Sequence, residues 1–369
     1  MKFLTAAVAI LFAFALTILL APDSTSSQLP PDAAPITLTA PAVEEEPASR
    51  TPSEKAAIDA EKATIDVSGI EDAWRDWMSR YNIRASAMTL GRGGQILHSM
   101  GEGRRADTTY PIASLSKAIT AMCLNDIMDA FDLSWSSTLG DLAQALTKHH
   151  MPPHPGATAL SLGDLVTHTT GWPKNIAATE TAGEGRNLYT QQHFAREALT
   201  NPAHQSADHS FTYSNTNFAV LGQIISVLSG RPYGETCKAR IMGPAGASQA
   251  AVAGRMWATG GFGGWSASTE DYARFLMHWF APEQAWMLAP EDFGYDSKSG
   301  AGLGVFHRKT PTGKAIQHNG MWRSKKPARQ HGALFVMTET GTTFVVNWQG
   351  QLPNTAYRDL RAAIIPQMP

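Results

Sequence analysis

Ser114, Ser116 and Lys117 stand in "YPIASLSKAITAM", where an apolar helical run begins. A helix brings residues i and i+3 onto one face, so Ser114 and Lys117 are expected as neighbours, whereas Ser116 and Lys117, adjacent in sequence, do not face each other. A serine hydroxyl is a weak nucleophile until a base takes its proton. Lysine can be that base when burial or a nearby cation brings its pKa below about 10.4. No other lysine in the chain follows a serine by three residues. The pair points to acyl chemistry on a serine; the competing reading is a solvated first helical turn.

Two further patterns sharpen the choice. "FTYSNTNFAVLG" carries Tyr213 and Asn215 two residues apart, which on an extended segment point to one side. The competing reading there is a turn or helix cap built by Ser214 and Asn215. "AIQHNGMW" then places His318, Asn319 and Gly320 at the end of an expected strand, where glycine allows a ligand to come close to the backbone.

In chain order, Ser-x-x-Lys, Tyr-x-Asn and His-x-Gly resemble the motifs of the serine β-lactamase and penicillin-binding protein superfamily. The Tyr-x-Asn form is similar to the class C β-lactamase branch, which also holds esterases and D-amino-acid peptidases. "LSLGDLVTHTTGWP", the segment around Tyr213 and "GGFGGWSASTEDYARF" resemble other phrases of that family, so the likeness runs from about Val67 to the C-terminus.

The resemblance implies that Ser114 attacks an acyl carbonyl and becomes acylated. It implies that Lys117 and Tyr213 share the proton transfers, without saying which takes the serine proton. Asn215 would hydrogen-bond the substrate, the backbone N–H groups of Ser114 and Met321 would form an oxyanion hole, and His318 and Gly320 would line the strand side of the cleft. One departure matters. The family usually has Lys-Thr-Gly or Lys-Ser-Gly where this chain has His318-Asn319-Gly320, and histidine is mostly neutral near pH 7. Carboxylate recognition at that point is weakened, so an esterase- or peptidase-like hydrolase is expected ahead of a β-lactamase or D,D-carboxypeptidase. A non-catalytic binding module of the same fold is the further alternative. Arg323, Lys325, Lys326 and Arg329 follow the motif; they read as a solvated basic loop, ahead of the alternative that they supply a substitute cation.

A metal enzyme is the rival class. His149, His150 and His154 lie close together, but Pro152 and Pro153 break the helix and no carboxylate-bearing motif follows, so an exposed loop is expected. No cofactor is expected; the partner expected is a small ester, amide or peptide substrate.

The elements that must position these residues can be read coarsely. Ile70, Trp74, Trp77, Met78 and Tyr81 form one helical stripe, and the text around Gly93-Gly94 reads as a hairpin. A helix is expected over 114–130, then helices and Pro/Gly-rich loops to about Gly246. Strands follow past Ala250, with a turn at Thr340-Gly341 and a closing helix in "NTAYRDLRAAII". Strands at both ends with helices between predict an α+β fold: an antiparallel sheet flanked by helices, with a mostly helical insertion over about 113–250.

The 369 residues carry 30 basic and 32 acidic side chains, which gives no electrostatic reason to expect nucleic acid. Residues 1–21 read as a signal peptide or signal anchor, so an extracytoplasmic (periplasmic or secreted) location is expected, with membrane anchoring if the segment is kept. Residues 22–64 are rich in Pro, Ala, Ser and Glu and lack aromatics, as in a disordered tether; 65–369 form the hydrolase domain. Cys123 and Cys237 could pair in an exported protein, but both sit in expected helices and read as separate small hydrophobes ahead of a disulfide.

Overall fold

The computed structural model describes residues 65–176, 190–252, 259–281 and 300–368. The expected signal or anchor and the tether lie outside the described residues. Helix α1 (Val67–Arg80) begins at Asp66, whose carboxylate accepts from Gly69 N at 2.8 Å, and it buries Ile70, Trp74, Trp77 and Met78. Strands β1 (Ser86–Arg92) and β2 (Gln95–Glu102) form the expected hairpin, and Gly93 and Gly94 have φ of 57° and 78°. Both residues of such a two-residue turn need positive φ, which glycine adopts without a steric cost.

After β3 (Tyr110–Pro111) come helices α2 (Ser116–Met128), α3 (Ala143–Lys148), α4 (Leu162–Thr167), α5 (Gln191–Thr200), α6 (Asn215–Ser229) and α7 (Tyr233–Cys237). The chain continues through β4 (Ala251–Val252), α8 (Gly260–Gly263), β5 (Trp265–Ala267) and α9 (Thr269–Trp279). It ends with β6 (Ala301–Gly302), β7 (Val305–Thr310), β8 (Gly313–Trp322), β9 (His331–Thr338), β10 (Thr343–Gln349) and α10 (Asn354–Ile364). The large sheet runs β2-β1-β10-β9-β8-β7-β6, and a small one runs β3-β5-β4. Among the described residues all the strand pairings are antiparallel, in the α+β arrangement expected.

Both faces of the large sheet are covered, which explains why "ALFVMT" in β9 is apolar without alternation. Leu334, Val336, Phe344, Val346 and Trp348 pack with α1 and α10. Phe335, Met337, Val345 and Ile316 face the other way, into the core built by α2, α5, α6 and α9.

The cysteines correct the sequence reading. Cys123 on α2 and Cys237 at the end of α7 are fully buried and joined in a disulfide, with Cα atoms 5.4 Å apart. Their chain separation of 114 residues hid the contact. Closing a loop of that size removes about 5 kcal/mol of unfolded-chain entropy in the loop-closure description. The bridge fixes α2, which starts just past Ser114, to the rest of the helical region.

Candidate active site

Ser114 sits in a 3-10 turn, Ala113–Leu115, that runs directly into the N-terminus of α2. Ala113 has φ of 48°, an uncommon conformation for a residue with a Cβ that costs about 1–3 kcal/mol and is held by its surroundings. Those surroundings are specific. The Tyr272 hydroxyl donates to Leu115 O at 2.9 Å, and Trp265 N donates to Ser116 Oγ at 3.1 Å. Ser116 is therefore buried and occupied in structure, while Ser114 is half-buried and opens onto a cleft of about 690 Å³.

Lys117 is completely buried. Its Nζ lies 2.8 Å from Asn215 Oδ1, 2.8 Å from Phe262 O and 3.4 Å from Ser114 Oγ. Burial first, and the charge of Lys174 second, hold its pKa well below the ordinary lysine value. A neutral amine has two N–H groups and one lone pair. The two short contacts use the donors, and the lone pair is left for the hydroxyl proton of Ser114.

Tyr213 and Asn215 arrive together. Ser214 has extended backbone and caps α6, its Oγ accepting from Asn217 N at 3.4 Å. The stretch thus forms the cap and also brings Tyr213 and Asn215 to the cleft. The Tyr213 hydroxyl hydrogen-bonds Ser114, but desolvation outweighs that bond and keeps the phenol pKa above its usual value. Asn215 accepts from Lys117, and its Nδ2 donates to Asn175 Oδ1 at 2.8 Å, which leaves its second N–H for a ligand.

His168, within the quoted "LVTHTTGWP" phrase but given no role from sequence, supports this group. It ends α4 in the left-handed region, and its Nδ1 accepts from Ser214 N at 3.1 Å. Its ring lies 4.7 Å from that of Tyr213. Burial, then the charge of Lys117, holds its pKa well below the usual value, so it stays neutral. The local signal was the phrase itself; the contact with Tyr213 is across 45 positions of sequence and has no periodicity to betray it.

On the strand side, β7 pairs with β8 only as far as Phe306 opposite Gln317, so His318–Trp322 have β9 on one side alone. His318 is buried, stacked on Phe306 at 5.2 Å and near Tyr213 at 6.0 Å. Burial, then repulsion by Lys117, lowers its pKa to about 3. Its Nδ1 has no hydrogen-bond partner among the described residues. Gly320 serves the chain's own backbone: a Cβ there would lie 2.3 Å from Ile112 O and 2.8 Å from Ser114 N. What approaches Gly320 in the structure is the turn that carries Ser114, which brings the backbone beside Met321 up to Ser114 N. Met321 and Asn319 line the cleft, and Arg323 lines it as well, instead of belonging wholly to a solvated loop.

Phe194 and Phe262, stacked at 5.5 Å, form a second aromatic wall. Among the described residues no three His, Cys, Asp or Glu side chains gather as a metal site. His154 departs from the exposed loop expected of it: it is buried and accepts from Gly156 N at 3.1 Å.

Known proteins with the same architecture share these features of fold. The octameric penicillin-binding protein homologue from Pyrococcus abyssi superposes with a TM-score of 0.64 at 17% identity, covering 82% of this chain and 77% of that one. The D-amino acid amidase from Ochrobactrum anthropi SV3 gives 0.61 at 15%, covering 81% and 98%. The β-lactamase/D-alanine carboxypeptidase from Yersinia pestis gives 0.61 at 16%, covering 81% and 96%. In sequence, penicillin-binding protein 4 of Amycolatopsis lactamdurans is 24% identical over 155 residues, 42% of this chain and only 39% of that protein's length. The family model described as Beta-lactamase matches residues 70–367, so the chain belongs to the β-lactamase family.

Proposed function

We propose that the protein is a serine hydrolase that cleaves an ester or amide through an acyl-enzyme. The observation that carries this reading is the contact of Lys117 Nζ with Ser114 Oγ at 3.4 Å, beside two 2.8 Å contacts that consume the amine's donors. Lys117 takes the proton as Ser114 Oγ bonds to the carbonyl carbon, and the bond to the leaving group breaks as that group receives a proton. Tyr213, kept protonated by burial, relays protons between Ser114 and the leaving group. Water then cleaves the acyl-enzyme by the reverse transfers. The N–H groups of Ser114 and Met321 receive the oxyanion, and the free N–H of Asn215 orients the substrate; an oxyanion donor of this kind is worth roughly 3–4 kcal/mol.

Burial lowers the pKa of His318 to about 3, so near neutral pH it offers no cation to a carboxylate beside the reacting bond. Esters and amides that lack a carboxylate there should therefore be preferred to β-lactams. Amide cleavage is the activity that the amidase relative's name carries. The test is a panel of 4-nitrophenyl esters, D-amino-acid amides and a chromogenic cephalosporin. A cephalosporin turned over faster than simple esters would overturn the preference.

The buried Cys123–Cys237 disulfide supports an extracytoplasmic location, because such bridges persist in oxidising compartments. Among the described residues no helix is long and apolar enough to cross a membrane. Anchoring through 1–21 and spacing through 22–64 remain proposals; N-terminal sequencing of the protein recovered from membrane and soluble fractions decides between anchor and cleaved signal.

A further inference from the structure

We infer that the cleft selects acyl substrates carrying an anionic group several bonds away from the scissile carbonyl, received at the rim by Arg323 and Lys174. The inference rests on the hydrolase reading for its chemistry, but it stands on a separate observation. Among the described residues that line the cleft, Lys174 and Arg323 carry the only charges, and no Asp or Glu accompanies them. Both side chains are exposed, and neither has an ion-pair partner among the described residues. Deeper in, burial lowers the pKa of both Lys117 and His318, which weakens their share of the positive field and leaves the exposed rim pair as its outer source. Phe194, Phe262 and Phe306 give that field low-dielectric walls, which concentrate it on a bound ligand.

Each cation springs from a fixed segment. Lys174 O accepts from Asn215 N at 2.8 Å, and Pro173 O accepts from Ser214 Oγ at 2.8 Å, so Lys174 is tied to the start of α6. Its charge is felt at Lys117. Arg323 follows the last residue of β8, two positions past Met321, or about 7 Å at strand spacing. A guanidinium there meets a substrate away from the reacting bond. The position next to that bond is taken by buried His318, whose pKa is lowered to about 3. The exposed cations lie farther out, and the acceptable substrate lengthens with them.

The test compares 4-nitrophenyl hydrogen glutarate with 4-nitrophenyl valerate, esters of equal acyl length that differ in one terminal carboxylate. The wild-type kcat/KM ratio should favour glutarate by about tenfold, through KM, as for one charge-assisted contact, and should fall as salt is raised. Arg323→Gln should bring the ratio toward one, Arg323→Glu should invert it, and Lys174→Gln should lower it in part. A wild-type ratio of one or less, or a ratio untouched by Arg323→Glu, overturns the inference while valerate turnover upholds the hydrolase. If neither ester is cleaved, the hydrolase reading has failed, and calorimetry of Ser114→Ala with N-benzylglutaramate against N-benzylvaleramide still decides: tighter binding of the glutaramate supports the anion site, and equal binding overturns it.

Discussion

The two walls of the cleft are built on different terms. On the helical wall the polar groups satisfy one another: Lys117 holds Asn215, Asn215 holds Asn175, and His168 holds the backbone at Ser214 with its ring packed at a tilt against Tyr213. On the strand wall His318 has an unpartnered Nδ1, the β8 edge past Gln317 is unpaired by β7, and Arg323 has no counter-ion among the described residues. A closed hydrogen-bond network keeps reacting groups in one geometry, whereas open groups wait for a ligand to complete them. On the proposed function, chemistry belongs to the helical wall and substrate choice to the strand wall, so substitutions on the two should fail differently.

The largest effect is expected from Lys117→Ala, about 100- to 10,000-fold in acylation rate, the range for losing a positioned proton acceptor. The same residue sets the pH dependence. Its pKa is lowered, so the active neutral amine is present at high pH and is lost as pH falls; kcat/KM should rise with pH and then level off. His318, with a pKa near 3, cannot produce that limb. An acid limb that survives in Lys117→Ala would remove the lysine from the role of base. Tyr213→Phe, which keeps the ring contact with His168 but removes the proposed relay, should cost up to about a hundredfold in kcat, read in burst kinetics.

On the strand wall, His318→Lys with Asn319→Thr should leave Ser114 labelling intact and shift the cephalosporin-to-ester ratio by about tenfold toward the lactam. Rates that fall equally on every substrate would show that His318 belongs to the chemistry, and the division between the walls would not hold. The smallest effect on activity is expected from Ser116→Ala. It leaves the buried Trp265 N–H without its acceptor, so stability should fall by about 1–3 kcal/mol while labelling continues, as thermal melts and labelling rates would record.

What could be read from the sequence follows the distance over which each contact acts. The α1 stripe, the Gly93-Gly94 hairpin and the Ser114–Lys117 pair depend on spacings within a few residues, and local periodicity carries them. The fold class was legible because strands and helices alternate in blocks. The Cys123–Cys237 bridge, the support of Tyr213 by His168 and the approach of Gly320 to Ser114 N join segments far apart in the chain, and no local pattern encodes them. Arg323 lies between these cases. It is exposed like Lys325, Lys326 and Arg329, as a basic loop predicts, and only the course of β8 brings it to the cleft.

The central claim is that Ser114, and not its neighbour Ser116, is the acylated residue. Labelling with a fluorophosphonate followed by tandem mass spectrometry of the tryptic peptide Ala106–Lys117 tests it directly, since both serines lie in that peptide. The adduct should fall on Ser114, and Ser114→Ala should fold normally and take no label. An adduct on Ser116, or full turnover by Ser114→Ala, would contradict the account.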